Sequence, residues 1–140
     1  MDIEIYCTKK QIKMNLFLYI SSVSAGFPSP ADDYIDKSLD LNEYLIAHPS
    51  ATFFVRVKGD SMIGAGIHTG DILIVDRSLE ATNNKVIVAF IDGEFTVKRI
   101  FFANKKLYLY ADNPDYEPIE ITDEMDFRVF GVVTYVIHAV

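Results

Sequence analysis

Lys85-Val86-Ile87-Val88-Ala89-Phe90-Ile91-Asp92-Gly93-Glu94-Phe95-Thr96-Val97-Lys98-Arg99-Ile100-Phe101-Phe102 reads as two strands joined by a two-residue turn. Asp-Gly between apolar runs favours the left-handed backbone of a tight hairpin, and β-branched and aromatic residues suit a half-buried pleated surface. The same pattern continues in both directions. Upstream, Thr52 to Lys58 alternates, Gly64, Gly66 and Gly70 break the next stretch into turns, and Asp71 to Val75 is a buried strand. Downstream, Lys106 to Ala111 follows a turn at Asn104, and Arg128 to Ile137 closes the chain, with Gly131 as the place for a bulge. Short strands at close spacing predict a mainly β fold, a compact antiparallel or mixed barrel or sandwich. One short helix is expected before it: Asp40 is placed as N-cap, Glu43 stands at the third helical position, and His48-Pro49 ends the segment.

Composition narrows the function classes. The 140 residues are half hydrophobic and 13% aromatic, enough for one packed domain with a short appendage. A net charge of −7 argues against direct phosphate-backbone binding. A single cysteine, Cys7, permits no internal disulfide and suits a reducing compartment. No apolar run approaches the roughly 20 residues that cross a bilayer. Lys9, Lys10 and Lys13 before Met14 to Ile20, with Val23-Ser24-Ala25 after it, outline a secretory leader. Asn15 interrupts its apolar part and Asp2 and Glu4 dilute its basic end, so a cytoplasmic protein is expected. Gly26-Phe27-Pro28-Ser29-Pro30 cannot continue a helix and reads as an exposed, extended hinge.

Two residues stand out chemically. Ser61, in Gly59-Asp60-Ser61-Met62, follows a strand where the chain turns. A serine hydroxyl is a weak nucleophile that needs a base. Ile63 stands where a hydrolase nucleophile elbow has its second glycine, and Gly64 stands where a Ser-x-x-Lys motif has its lysine. Taken alone, the serine is an ordinary turn residue. Lys98 shares a strand face with Thr96 and Ile100, opposite Arg99, so at most one of the two cations lines a given site. Burial on an apolar strand lowers a lysine's pKa and frees it to act as a base, a role arginine cannot take. The competing reading is a lysine snorkelling from a solvated edge. His48, His68 and His138 are rival partners for Ser61, but none stands with a carboxylate in a telling pattern. Together with Cys7 they lack metal-ligand spacing, so no metal or other cofactor is expected.

From Gly26 onward the chain resembles the LexA/UmuD family of self-cleaving proteins. The resemblance rests on Gly26-Phe27-Pro28-Ser29-Pro30-Ala31, His48-Pro49-Ser50-Ala51-Thr52, Gly59-Asp60-Ser61-Met62-Ile63 and Gly70-Asp71-Ile72-Leu73-Ile74-Val75-Asp76. Ile91-Asp92-Gly93-Glu94-Phe95-Thr96-Val97-Lys98-Arg99 and Phe130-Gly131-Val132-Val133-Thr134 complete it in co-linear order. It implies a LexA/UmuD-like (signal-peptidase-like) β fold with a flexible N-terminal arm. The implied organisation is an arm over 1–25 removed by self-cleavage, an extended hinge over 26–39 and a peptidase domain over 40–140. It further implies Ser61 as nucleophile, Lys98 as general base, Ala25–Gly26 as the scissile bond, and the backbone N–H groups of Asp60 and Ser61 as oxyanion donors. Alanine departs from the cysteine best known before that glycine in UmuD-type members, but Ala-Gly is what LexA-type repressors use.

Implied partners are a second copy of the chain in a homodimer, the RecA–single-stranded-DNA filament that promotes cleavage, and an error-prone translesion DNA polymerase of the SOS response. Residues 1–24 are too short for the helix-turn-helix domain of the repressors, so no sequence-specific DNA binding is expected. The alternatives are a non-cleaving module that binds polymerase or RecA, and a phage-type repressor C-terminal domain.

Overall fold

A computed structural model describes residues 3–7, 16–19, 25–26 and 35–140. Two compact units emerge. The larger joins the first strand to everything from His48 onward, and the smaller lies within Lys9–Ala47.

In the larger unit, eight strands form one sheet: β1 (Ile3–Cys7), β4 (Thr52–Val57), β5 (Ile72–Asp76), β6 (Val86–Ile91), β7 (Glu94–Ala103), β8 (Lys106–Tyr110), β9 (Ile119–Ile121) and β10 (Phe127–Ile137). Their order is β1-β4-β5-β10-β6-β7-β8-β9, and every pairing is antiparallel. The last strand is therefore inserted between β5 and β6, joining two runs of sequential neighbours. In the smaller unit β2 (Leu16–Tyr19) pairs with β3 (Ile35–Leu39), and α1 (Leu41–Leu45) follows.

The mainly β expectation holds, and the anticipated strands lie within a residue of their expected ends. Asp92 and Gly93 both take positive φ, 47° and 88°, as the β6–β7 hairpin requires. Register slips between Val129 and Gly131 where β10 meets β6, which places a bulge at the anticipated glycine. Asp40 caps α1 by accepting from the Asn42 N–H at 3.0 Å, an arrangement worth ~1 kcal/mol. Among the described residues the larger unit is one open sheet, a half-barrel whose edge strands β1 and β9 do not pair with each other.

Four strands add to the expected set. β1 comes from a segment expected to be an arm, yet Ile3, Ile5 and Cys7 pair with Val57, Val55 and Phe53. β2 takes up four residues of the apolar stretch that mimics a leader, and β3 lies inside the expected hinge. β9 is only three residues long, too short for alternation to mark it, and extends the sheet beyond β8. Of the resembling N-terminal motif only Gly26 is described, together with Ala25 before it, as an exposed bend; Val23, Ser24 and 27–31 lie outside the described residues.

Both faces of the sheet are packed. Val55, Val57, Met62, Ile67, Leu73, Val75, Val88 and Val97 form one core cluster. Ile87, Ala89, Ile100, Leu109 and Val132 form the other. Alternation along β6 and β7 explains the split, since Ile87 and Val88 point to opposite faces. Register pairs Lys98 with Ile87, which sets the lysine on the face of the second cluster. A cation is thus carried into apolar surroundings by strand periodicity.

Candidate active site

Ser61 sits in the turn after β4. Gly59 takes φ 113°, a conformation that L side chains rarely adopt, and lets the chain reverse within two residues of the strand end. The next residue after the serine, Met62, is fully buried. Burying that side chain contributes ~2 kcal/mol and anchors the turn to the core. Ser61 itself is only 3% exposed.

β7 delivers Lys98 to this turn. Its Nζ lies 3.1 Å from Ser61 Oγ, 3.0 Å from Thr96 Oγ1 and 3.2 Å from the Val97 carbonyl oxygen. The lysine is 6% exposed, and burial holds its pKa below the ordinary 10.5. Among the described residues no carboxylate pairs with it. The ring of Tyr116, 5.9 Å from Nζ, is the weak feature that favours the cation. Nζ donates to Ser61 Oγ, Thr96 Oγ1 and the Val97 carbonyl. If the amine loses its proton, its lone pair can instead accept from the Ser61 hydroxyl.

A second segment, Asp112 to Tyr116, braces the serine turn. Asn113, itself buried, donates from Nδ2 to the Asp60 carbonyl at 2.9 Å, and Tyr116 donates its hydroxyl to Asp60 Oδ1 at 2.5 Å. The Gly64 N–H donates to the Asp112 carbonyl at 2.7 Å, and the Asp112 N–H donates to Met62 Sδ at 3.3 Å. Arg99 clamps the Asp112 carboxylate with Nε and Nη2 and donates from Nη1 to the Asn84 carbonyl. Among the described residues, the backbone N–H groups of Asp60 and Ser61 donate to no protein acceptor.

Lys98 and Arg99 do point opposite ways, and only Lys98 reaches the serine. Thr96, expected on the face of Lys98, becomes its hydrogen-bond partner. Asn113 and Tyr116 escape sequence reasoning. Nothing in Asn113-Pro114-Asp115-Tyr116 announces them, because their role depends on a contact with Asp60 far away in the chain. Ala25 and Gly26 belong to the smaller unit, where both are exposed.

The histidines, which stand with no carboxylate in a telling sequence pattern, each meet one in space. His48 Nδ1 is 2.6 Å from Asp76 Oδ2, and His138 Nδ1 is 2.6 Å from Asp71 Oδ1. His68 Nδ1 lies 3.8 Å from Asp71 Oδ2. Linear spacing conceals the His138 pair because strands β5 and β10, remote in sequence, run side by side. Among the described residues no histidine bonds to Ser61, so a Ser–His–Asp arrangement around that serine is excluded. Ser78 donates to Asp76 Oδ1, which places the carboxylate between serine and imidazole rather than behind the imidazole.

Comparison with known proteins agrees with the motif-based resemblance. The model of the Peptidase S24-like family matches residues 17–134. Protein ImpA of Salmonella typhimurium is 45% identical over 129 residues, which span 86% of this chain and 82% of that protein. Protein MucA of the same species is 46% identical over 125 residues, 84% of this chain and 80% of its own length. The LexA repressor of a Shewanella species is 41% identical over 102 residues, 73% of this chain and 49% of the repressor. Among the described residues, no helix is long and apolar enough to cross a membrane.

Proposed function

Since the chain belongs to the Peptidase S24-like family, we propose that it is an autoproteolytic serine peptidase that cuts its own Ala25–Gly26 bond with a Ser61–Lys98 dyad. The observation that carries this reading is the buried Lys98 amine, free of any carboxylate among the described residues and 3.1 Å from Ser61 Oγ. Burial lowers the pKa of this amine and so eases loss of its proton; once neutral it is a base, and a serine at hydrogen-bonding distance is what it activates.

The steps follow from these groups. Lys98 Nζ takes the Ser61 proton as Oγ bonds to the Ala25 carbonyl carbon. The N–H groups of Asp60 and Ser61 receive the developing oxyanion. Collapse breaks the Ala25–Gly26 C–N bond, and the Lys98 ammonium returns its proton to the Gly26 amine. An ester between Ala25 and Ser61 remains. Water, deprotonated by Lys98, hydrolyses it and regenerates the hydroxyl. The products are residues 1–25 and a chain that begins at Gly26.

The wider setting extends the same reading. The chain acts in SOS mutagenesis as a cytoplasmic homodimer, and a RecA–single-stranded-DNA filament promotes cleavage. A filament can do so only by binding the cleavage-competent conformer better than the latent one. The shortened form then serves an error-prone translesion polymerase. Similarity to ImpA, MucA and a LexA repressor supports this placement.

The test follows intact mass of the purified chain at rising pH, with and without a RecA filament, for wild type, Ser61→Ala and Lys98→Ala. A Gly26-started fragment that grows with pH and is missing from both variants is expected. A wild-type chain that stays whole even with the filament would replace the peptidase reading with that of a non-cleaving binding module.

A further inference from the structure

Away from the serine, two imidazoles converge on one buried carboxylate. His68 lies in the loop between β4 and β5, Asp71 directly precedes β5, and His138 directly follows β10. Their candidate ligand atoms all lie within 4.8 Å of one another. The two imidazole rings are 4.9 Å apart between centroids and tilted by 39°. Asp71 is 3% exposed, whereas the two histidine side chains are about half exposed, at 50% and 46%.

We propose that His68, Asp71 and His138 form a binding site for a divalent transition-metal ion of the zinc class, with solvent completing the coordination. Imidazole nitrogens with a carboxylate suit zinc, nickel, cobalt or copper, whereas calcium and magnesium prefer all-oxygen sets. Zinc–ligand bonds of ~2.0–2.2 Å place tetrahedral ligand atoms ~3.3 Å apart. His138 Nδ1 is 2.6 Å from Asp71 Oδ1 and His68 Nδ1 is 3.8 Å from Oδ2, with the three ligand atoms within 4.8 Å of one another, so rotation of the two half-exposed rings must bring them to that spacing.

The carboxylate is already fixed for the task. Its Oδ2 accepts the His68 backbone N–H at 2.7 Å. The main chain of Asp71 bonds to the Val57 N–H through its carbonyl and to the His68 carbonyl through its N–H.

The two rings also meet the carboxylate unequally. A proton on His138 Nδ1 satisfies the contact to Oδ1, while His68 Nδ1, at 3.8 Å, is too far for a hydrogen bond. A metal ion engages both rings at once. It would tie the end of β10 to the loop whose other end carries Ser61. Nothing in the peptidase chemistry uses these three side chains, so the site stands or falls independently of that reading.

The experiment is calorimetric titration of the full-length Ser61→Ala chain, kept whole by the substitution, with zinc chloride and with magnesium chloride. One zinc ion per chain and no magnesium binding are expected, together with a rise in Tm on adding zinc. His68→Ala and His138→Ala each remove an exposed side chain. Each should weaken zinc binding by more than the ~10-fold lower bound for losing an outer-shell partner. His48→Ala, at the separate Asp76 pair, should leave zinc binding unchanged. Absence of zinc binding, equal binding by the His68→Ala/His138→Ala double variant, or loss of binding in His48→Ala alone would each overturn the assignment.

Discussion

Lys98 and Arg99 are adjacent in β7, both are cations by type, and their surroundings treat them in opposite ways. Lys98 faces the apolar cluster around Ile87 and Ile100, reaches only uncharged oxygens, and burial lowers its pKa. Arg99 faces Asp112, which holds it with a bidentate pair and pushes its pKa up despite partial burial. One residue of strand periodicity thus separates a buried amine with no carboxylate partner among the described residues from a cation fixed as a brace. Low solvation without a counter-charge lowers the pKa of the first, which is what the proposed role as a base requires. A counter-charge makes the second structural, and through Asp112 it steadies the turn that presents Ser61.

The contrast breaks most sharply at Lys98. Lys98→Ala should reduce self-cleavage by ~10³-fold or more, within the range that a positioned general base supplies. Lys98→Arg should restore nothing, because a guanidinium stays protonated. The readout is the amount of Gly26-started fragment by mass. Cleavage in the arginine variant at near wild-type rate would erase the distinction between the two positions.

Removing the brace should cost stability first and catalysis second. Asp112→Ala leaves the Arg99 guanidinium without its carboxylate, and a destabilisation of about 1–2 kcal/mol is expected for a partly exposed pair. For a domain of this size that is a Tm lower by several degrees. Cleavage should slow ~10-fold while its pH profile stays in place, since Lys98 is untouched.

A pH series sharpens the comparison further. Lys98 has a lower pKa folded than unfolded, so between the folded value and 10.5 the unfolded chain binds more protons. Stability of the wild type should therefore rise with pH across that window, and below it the native state bears the cost of a buried cation. Denaturation of the non-cleaving Ser61→Ala chain beside Ser61→Ala/Lys98→Met checks this, with the rise absent from the double variant. Arg99 contributes no slope there, as it stays charged throughout.

The smallest expected effect is at Tyr116. Tyr116→Phe removes the hydroxyl bond to Asp60 while keeping the ring near Lys98. Cleavage should slow ~3-fold, a change in positioning rather than in proton transfer, read from the mass time course. A loss as large as that of Lys98→Ala would make the tyrosine part of the chemistry.

Much of this is legible in the amino-acid sequence. The Asp92-Gly93 turn, the alternation that separates Lys98 from Arg99, and the cap at Asp40 are local, and local chemistry is written in adjacent residues. β1 stays hidden because five residues with Glu4 among them carry little signal until β4 offers its edge. The buttress from Asn113 and Tyr116, and the meeting of His68 and His138 on Asp71, depend on strand order. The insertion of β10 beside β5 brings two of those groups together, and no spacing along the chain records it.

The central claim is that burial lowers the pKa of Lys98 in the folded chain, and its own titration tests that most directly. Nuclear magnetic resonance of lysine side-chain carbons in the Ser61→Ala chain, with Lys98 assigned by comparison with Lys98→Met, would follow the group across pH. A midpoint clearly below 10.5, matching the midpoint of the wild-type cleavage profile, is the predicted result. A midpoint at or above 10.5 would make Lys98 an ordinary cation and contradict the claim.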